Sequence, residues 1–218
     1  MRTIRLGLLL LSLLTSGGAL TAQLVVYSFG SSAAPTSVAS NLSADVFSGS
    51  LGSPAIGSGI PVYSSGSGGG YFTASAWTGV APGTNYFEFT LTPGSGYGLS
   101  LASISFGYRA SGTGPTAFAI RSSSDVFSST LVSGTITNDS AWHATGPLSI
   151  TLSSQAAPTT LRVYASGASS SLGTLRVDDV TLSGSVSAIP EASTYAAMLG
   201  LLAFSGVLLH RRRTRPAG

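Results

Sequence analysis

The chain has 218 residues, room for one domain with targeting segments, and only 8 % of them are charged. Its net charge of +3 comes from the ends, where Arg2, Arg5, Arg211, Arg212, Arg213 and Arg215 lie; residues 23–188 hold four arginines against six acids, which excludes the basic stripe of a nucleic-acid-binding domain. Cysteine and lysine are absent, so disulfides, a lipidated N-terminal cysteine and thiolate metal sites are excluded as well.

Residues 1–22 have the three-part build of a secretory signal peptide: Arg2 and Arg5, an apolar run over 6–14, then small and polar residues. The run is shorter than a membrane span, and cleavage is expected after Ala22 or after Ala19. Residues 23–188 form the expected domain, an ectodomain of short apolar alternations broken by turn residues about every ten positions, the pattern of an all-β sandwich or barrel. Strands are expected over 24–29, 71–77, 85–91, 99–109, 116–122, 148–152, 160–165 and 175–182. The clearest sets Phe87, Phe89 and Leu91 on one face and Tyr86, Glu88 and Thr90 on the other. Glycine- and serine-rich loops are expected over 52–70 and 166–173. Aromatic and β-branched residues recur throughout, which argues against disorder. Two strands change phase, and each change asks for a bulge: one near Ala102-Ser103, the other at Asp178-Asp179.

Residues 194–209 are uncharged and run into His210 and the arginines Arg211, Arg212, Arg213 and Arg215. As a helix the run measures about 24 Å, a little short of a hydrocarbon core of about 30 Å, a gap that snorkelling arginines or a thinned bilayer closes. The positive-inside rule keeps the arginines in the cytoplasm and the domain outside. The alternative is a soluble core helix, but the apolar residues surround this helix instead of forming one stripe. Before it stand Pro190, Glu191 and Ala192. Pro190 fixes its own φ and biases Ile189 to an extended shape, the form in which processing enzymes bind backbone. Glu191 either meets a basic group of such an enzyme or marks the water boundary of the helix.

The motif Pro190-Glu191-Ala192, the apolar run and the arginine cluster together resemble the PEP-CTERM sorting domain, over residues 189–218; Ala192 stands where that motif has its second proline. The resemblance implies a substrate of exosortase, a membrane transpeptidase of Gram-negative bacteria that make exopolysaccharide. It implies anchoring in the inner membrane before processing, cleavage near Pro190-Glu191, and delivery to the cell surface or extracellular matrix.

The stretch 175–182, LRVDDVTL, is similar to the last strand of jelly-roll sandwiches in carbohydrate-binding modules and secreted bacterial proteins. The expected fold class is therefore all-β, a jelly-roll-like antiparallel β-sandwich, flanked by the signal peptide and a C-terminal transmembrane helix. Some of those proteins hold a structural calcium with such an acidic pair, which makes Asp178 and Asp179 candidate Ca2+ ligands; solvation, or pairing with Arg176 or Arg162, is the other reading. His143 is the one histidine outside the tails, the nearby Asp139 and Ser140 read as turn formers, and no G-x-S-x-G elbow occurs; no catalytic residue is assigned. Trp77, Trp142, Tyr108 and Tyr164, with Tyr71, are candidate glycan contacts, the core being their alternative place. The sequence thus points to an exported, non-catalytic surface or matrix protein associated with exopolysaccharide; a carbohydrate-binding module is the alternative, and a hydrolase a third.

Overall fold

The computed structural model describes residues 21–30, 32–50, 55–58, 70–79, 84–191, 196, 199–205 and 207. Alternation of apolar and polar residues produces the long strands: β1 (Ala22–Tyr27), β6 (Gly70–Ala74), β7 (Tyr86–Pro93), β8 (Tyr97–Ala110), β9 (Ala117–Ser122), β12 (Leu148–Gln155), β13 (Thr159–Ser166) and β14 (Leu175–Ala188). Between them lie short ones that the sequence pattern does not announce: β2 (Ser37–Val38), β3 (Leu42–Ala44), β4 (Ser48–Gly49), β5 (Ala55–Ser58), β10 (Val132–Thr135) and β11 (His143–Ala144). These span too few residues to show a period, and pairing with a longer neighbour is what makes them strands. One departs from expectation: β5 lies within the glycine-rich stretch 52–70 and pairs with β6.

The strands form two antiparallel sheets that face each other as a β-sandwich. In the first, the order β1-β14-β8-β12 is extended by β2 beside β1, by β11 beside β8, and by β6 and β5 on the edge of β14. In the second, the order is β7-β13-β9-β10, with β3 and β4 on the outer edge of β7. Chain neighbours β7 and β8, and likewise β8 and β9, lie in opposite sheets, so the chain crosses the sandwich repeatedly.

Both expected bulges are present. Where β14 pairs with β8, the partners step from Asp178↔Gly107 to Thr181↔Ser105, one residue more on β14, and the extra residue Asp179 has a φ of 47°. Further along, Ser183↔Ser103 is followed by Gly184↔Leu101, which leaves Ala102 as the extra residue on β8. The first bulge coincides with a change of neighbour: the other edge of β14 pairs with β6 through Val177 and with β1 from Val180 onward. Here Gly70 lets two backbones meet, since a Cβ would stand 1.6 Å from the carbonyl oxygen of Phe29.

The inner faces bury Leu99, Leu101, Ile104, Val177 and Leu182 from one sheet against Phe87, Phe89, Leu91, Leu161 and Ile120 from the other. Phe47, in the link between β3 and β4, is the hub of an aromatic cluster, with ring centroids 4.9–5.7 Å from those of Phe72, Phe29, Phe89, Tyr27 and Phe87. The Tyr27 hydroxyl donates to the carbonyl of Asp45 at 2.8 Å, and burial first, then the nearby Asp45 charge, pushes its ionisation above the usual tyrosine range.

β14 runs to Ala188, and the N–H of Ile189 still donates to the Gly96 carbonyl at 2.8 Å. Pro190 has no N–H, and the pairing stops there. Pro190 and Glu191 are exposed; Ala192 and the four arginines 211, 212, 213 and 215 lie outside the described residues, as do residues 1–20 of the expected signal peptide. Of the expected span, 199–205 and 207 are helical and exposed, Leu199, Leu201, Leu202, Phe204 and Val207 among them. Among the described residues no helix is long and apolar enough to cross a membrane.

Candidate functional site

The outer face of the first sheet carries the site. Leu175 and Val177 point into the core, so strand alternation sends Arg176 outward, in register with Thr73 of β6 on one side and Arg109 of β8 on the other. Tyr71, two residues before Thr73, shares that face. Trp142 precedes the His143–Tyr108 pair at the far edge. In the next row Asp178 pairs with Gly107, which has no side chain to fill the space above it. Across this gap the rings of Tyr71 and Trp142 meet, 6.1 Å apart and inclined at 61°, both half-buried. The Arg176 guanidinium lies over the Tyr71 ring, 4.7 Å from its centroid. Arg109 Nε donates to the Ser140 carbonyl at 2.7 Å. Between the two arginines is a small cleft of about 50 Å³, completed by Ser111, Ser140 and Thr174.

The expected acidic pair lies at the foot of this arrangement. Asp178 is fully buried, and its Oδ1 accepts the N–H of Asp179 at 2.8 Å; Asp179 is the half-buried bulge residue. Asp178 is therefore not solvated, and Arg162 pairs with Glu88 on the other sheet instead. Among the described residues no group of three acidic, histidine or cysteine side chains gathers here; calcium at this pair would draw its other oxygens from backbone carbonyls and water. The local role of Asp178 is to hold the bulge: a short polar side chain bonded to the next amide favours the left-handed conformation there. Replacing Asp178 with Ala should lower stability by about 2 kcal/mol, since a buried amide loses its acceptor, and the melting midpoint by about 4–8 °C. Chelator should leave the wild-type midpoint unchanged; a fall seen in wild type but absent in Asp178→Ala would instead assign the pair to a metal.

The outer face of the second sheet has the same residue types but satisfies them internally. Arg162 Nε donates to Glu88 Oε2 at 2.9 Å, and its guanidinium is held between the rings of Tyr86 and Phe127, 4.0 and 3.9 Å from their centroids. Tyr164 packs edge-on against Tyr86 at 5.4 Å and is only 9 % exposed. Arg121 pairs in register with Arg162 and donates to the Phe127 carbonyl at 2.9 Å. Beside this ladder is a polar cleft of about 530 Å³ that includes Asp45, Ser48, Glu88 and Thr90. Its one ion-paired acid, Glu88, is committed to Arg162.

No protein-family profile matches the chain, and no curated protein matches it. Among solved structures it is similar to the K3 cleaved adhesin domain of Lys-gingipain from Porphyromonas gingivalis, at 12 % identity and a TM-score of 0.41 over 75 % of this chain and 100 % of that one. It is also similar to the CBM22-1 xylan-binding domain of Paenibacillus barcinonensis Xyn10C, at 11 % and 0.41 over 78 % and 97 %, and to TmCBM61 in complex with β-1,4-galactotriose, at 14 % and 0.37 over 66 % and 88 %. These neighbours are adhesin and carbohydrate-binding domains. The similarity is too low to carry over the role of any residue.

Of the aromatic candidates, the structure places Trp142 at the surface, beside Tyr71. Trp77 is wholly buried, its Nε1 donating to the Ala74 carbonyl at 2.9 Å and its ring 4.8 Å from Phe87, so no face of it reaches a ligand. Tyr108 is 6 % exposed and stacks on His143 at the inner rim, 5.5 Å between centroids. His143 Nε2 lies 2.9 Å from Asp139 Oδ1; the bonds from His143 and from the Ala141 amide hold the Asp139 carboxyl below its usual range. Among the described residues no serine hydroxyl is hydrogen-bonded to His143, and Ser140 serves this region through its carbonyl. Sequence reasoning missed Arg109 and Arg176, whose meeting depends on the pairing of β8 with β14.

Proposed function

We propose that this chain is a non-catalytic polysaccharide-binding module displayed at the cell surface. The observation that carries the reading is the pair Tyr71–Trp142, two aromatic side chains that meet at an angle on the outer face of the first sheet and stay partly in solvent. The C–H faces of a pyranose are apolar and lie well on such rings, and aromatic anchors of this kind dominate binding energy where they are partly desolvated. The strand orders β1-β14-β8-β12 and β7-β13-β9-β10 support a jelly roll, two interleaved Greek keys, as the scaffold. Binding without chemistry is favoured by a histidine–carboxylate pair that no serine hydroxyl among the described residues joins and by the engagement of Glu88 with Arg162. The test is affinity electrophoresis of the full-length protein in detergent through gels containing polysaccharides of several backbones. Retardation by at least one polymer is expected; unchanged mobility in all of them would remove the reading.

The tail belongs to the same proposal. An apolar helix with its leucines exposed needs a partner or a membrane, and Pro190-Glu191 stands exposed just where the sheet pairing ends, which supports sorting through a PEP-CTERM-type signal. At the other end, cleavage after Ala19 would keep β1 whole, whereas cleavage after Ala22 would remove the residue that pairs with Gly184. In a host with exosortase, intact mass should show a mature chain ending near Pro190, and Pro190→Ala should leave the full C-terminus in place. A wild-type chain that keeps Gly218 would reduce the tail to an anchor.

A further inference from the structure

We infer that the polysaccharide taken by this face is an acidic one, its carboxylate or sulfate group held between Arg109 and Arg176. The inference rests on the binding reading above and adds the charge of the ligand. Arg109 and Arg176 are directly opposite each other on neighbouring strands, where like charges repel. Arg162 and Arg121 stand in the same relation on the other sheet, and there Glu88 neutralises one of them. The first pair has no such ion pair among the described residues, where those present are Arg162–Glu88 and His143–Asp139, and no carboxylate lines the cleft between Arg109 and Arg176.

What does line the cleft is donors. Arg109 keeps its terminal amino groups beyond the Nε bond to Ser140, and Arg176 sets its Cζ over the Tyr71 ring, 4.7 Å from the centroid. The Ser111 hydroxyl oxygen accepts the Thr174 amide at 3.0 Å, so its hydrogen remains to be given. Two guanidinium forks with hydroxyl donors match a planar carboxylate or a sulfate, and the cleft of about 50 Å³ admits one such group while the sugar that bears it reaches the Tyr71–Trp142 angle. A general attraction to polyanions would come from overall charge, yet residues 23–188 hold four arginines against six acids. The preference must therefore be local, at this cleft.

The experiment measures Kd of the full-length protein in detergent for polygalacturonate, dextran sulfate and neutral dextran, in wild type and in Arg109→Gln, Arg176→Gln, Trp142→Ala and, as a control on the other sheet, Arg121→Gln. Wild type should favour at least one acidic polymer over the neutral one by about tenfold or more, and which polymer it favours tells carboxylate from sulfate. Either cleft substitution should bring that preference close to one, and Arg121→Gln should leave it intact. Should a cleft variant fail to fold, the wild-type preference should still shrink as salt rises from about 50 to about 500 mM. Equal affinity for neutral and acidic polymers, a preference that survives both cleft substitutions, or one lost equally in Arg121→Gln would overturn the inference and leave the binding reading standing. Binding that is indifferent to Trp142→Ala would overturn the binding reading itself.

Discussion

Phe47→Ala should destabilise the domain by about 4 kcal/mol, the largest loss expected from a single substitution, within the range for emptying an aromatic site in a core. Phe47 is 2 % exposed and touches five other rings drawn from both sheets. Its neighbours are themselves large and held by strand pairing, so they can close only part of the space left behind. Domains of this size hold about 5–15 kcal/mol in all, and the midpoint of thermal unfolding should fall by about 8–16 °C. Val46, next in the chain and 59 % exposed, supplies the contrast: Val46→Ala should change stability by less than about 0.5 kcal/mol. Thermal melts followed by near-ultraviolet circular dichroism measure both. A loss below about 1 kcal/mol for Phe47→Ala would show that the link between β3 and β4 is not part of the core.

Trp142→Ala should weaken polysaccharide binding roughly thirtyfold, the equivalent of about 2 kcal/mol for an aromatic anchor, while altering stability little. The indole contributes both the ring on which a sugar lies and the wall that positions Tyr71. Removing it opens the gap over Gly107 to water. Trp77→Phe should act in the opposite sense, lowering stability through its place against Phe87 and sparing affinity. Isothermal titration of the two variants, each checked by its melting midpoint, separates the effects, and equal affinity loss in both would mean that the outer face is not the binding face.

The long strands were legible because apolar alternation persists over enough residues to show a period, as in Phe87, Phe89 and Leu91. The bulges were legible for the same reason: a phase break at Ala102 or Asp179 is visible only against an otherwise regular alternation. β2, β4 and β11, with two residues each, have no period to read, and β5 hides in a glycine-rich stretch because pairing with β6 organises it. Composition could not tell the two tryptophans apart. Trp77 follows β6 into the interior, whereas Trp142 precedes an edge strand and turns outward, and only the packing of the two sheets decides that. The arginine pair was hidden by distance along the chain: Arg109 and Arg176 meet through the register of two fourteen-residue strands, and no local pattern encodes that register.

The central claim is that a glycan docks on the outer face at Trp142, and the two tryptophans of the chain make intrinsic fluorescence a direct measure of it. Trp77 is shielded in the core and Trp142 is partly exposed, so titrating the wild-type protein with a polysaccharide that retards it in the gel should produce a saturable change in emission, and Trp142→Phe should bind with no such change. Saturable binding with unaltered emission in wild type, or the same change in Trp142→Phe, would place the ligand elsewhere and contradict the account.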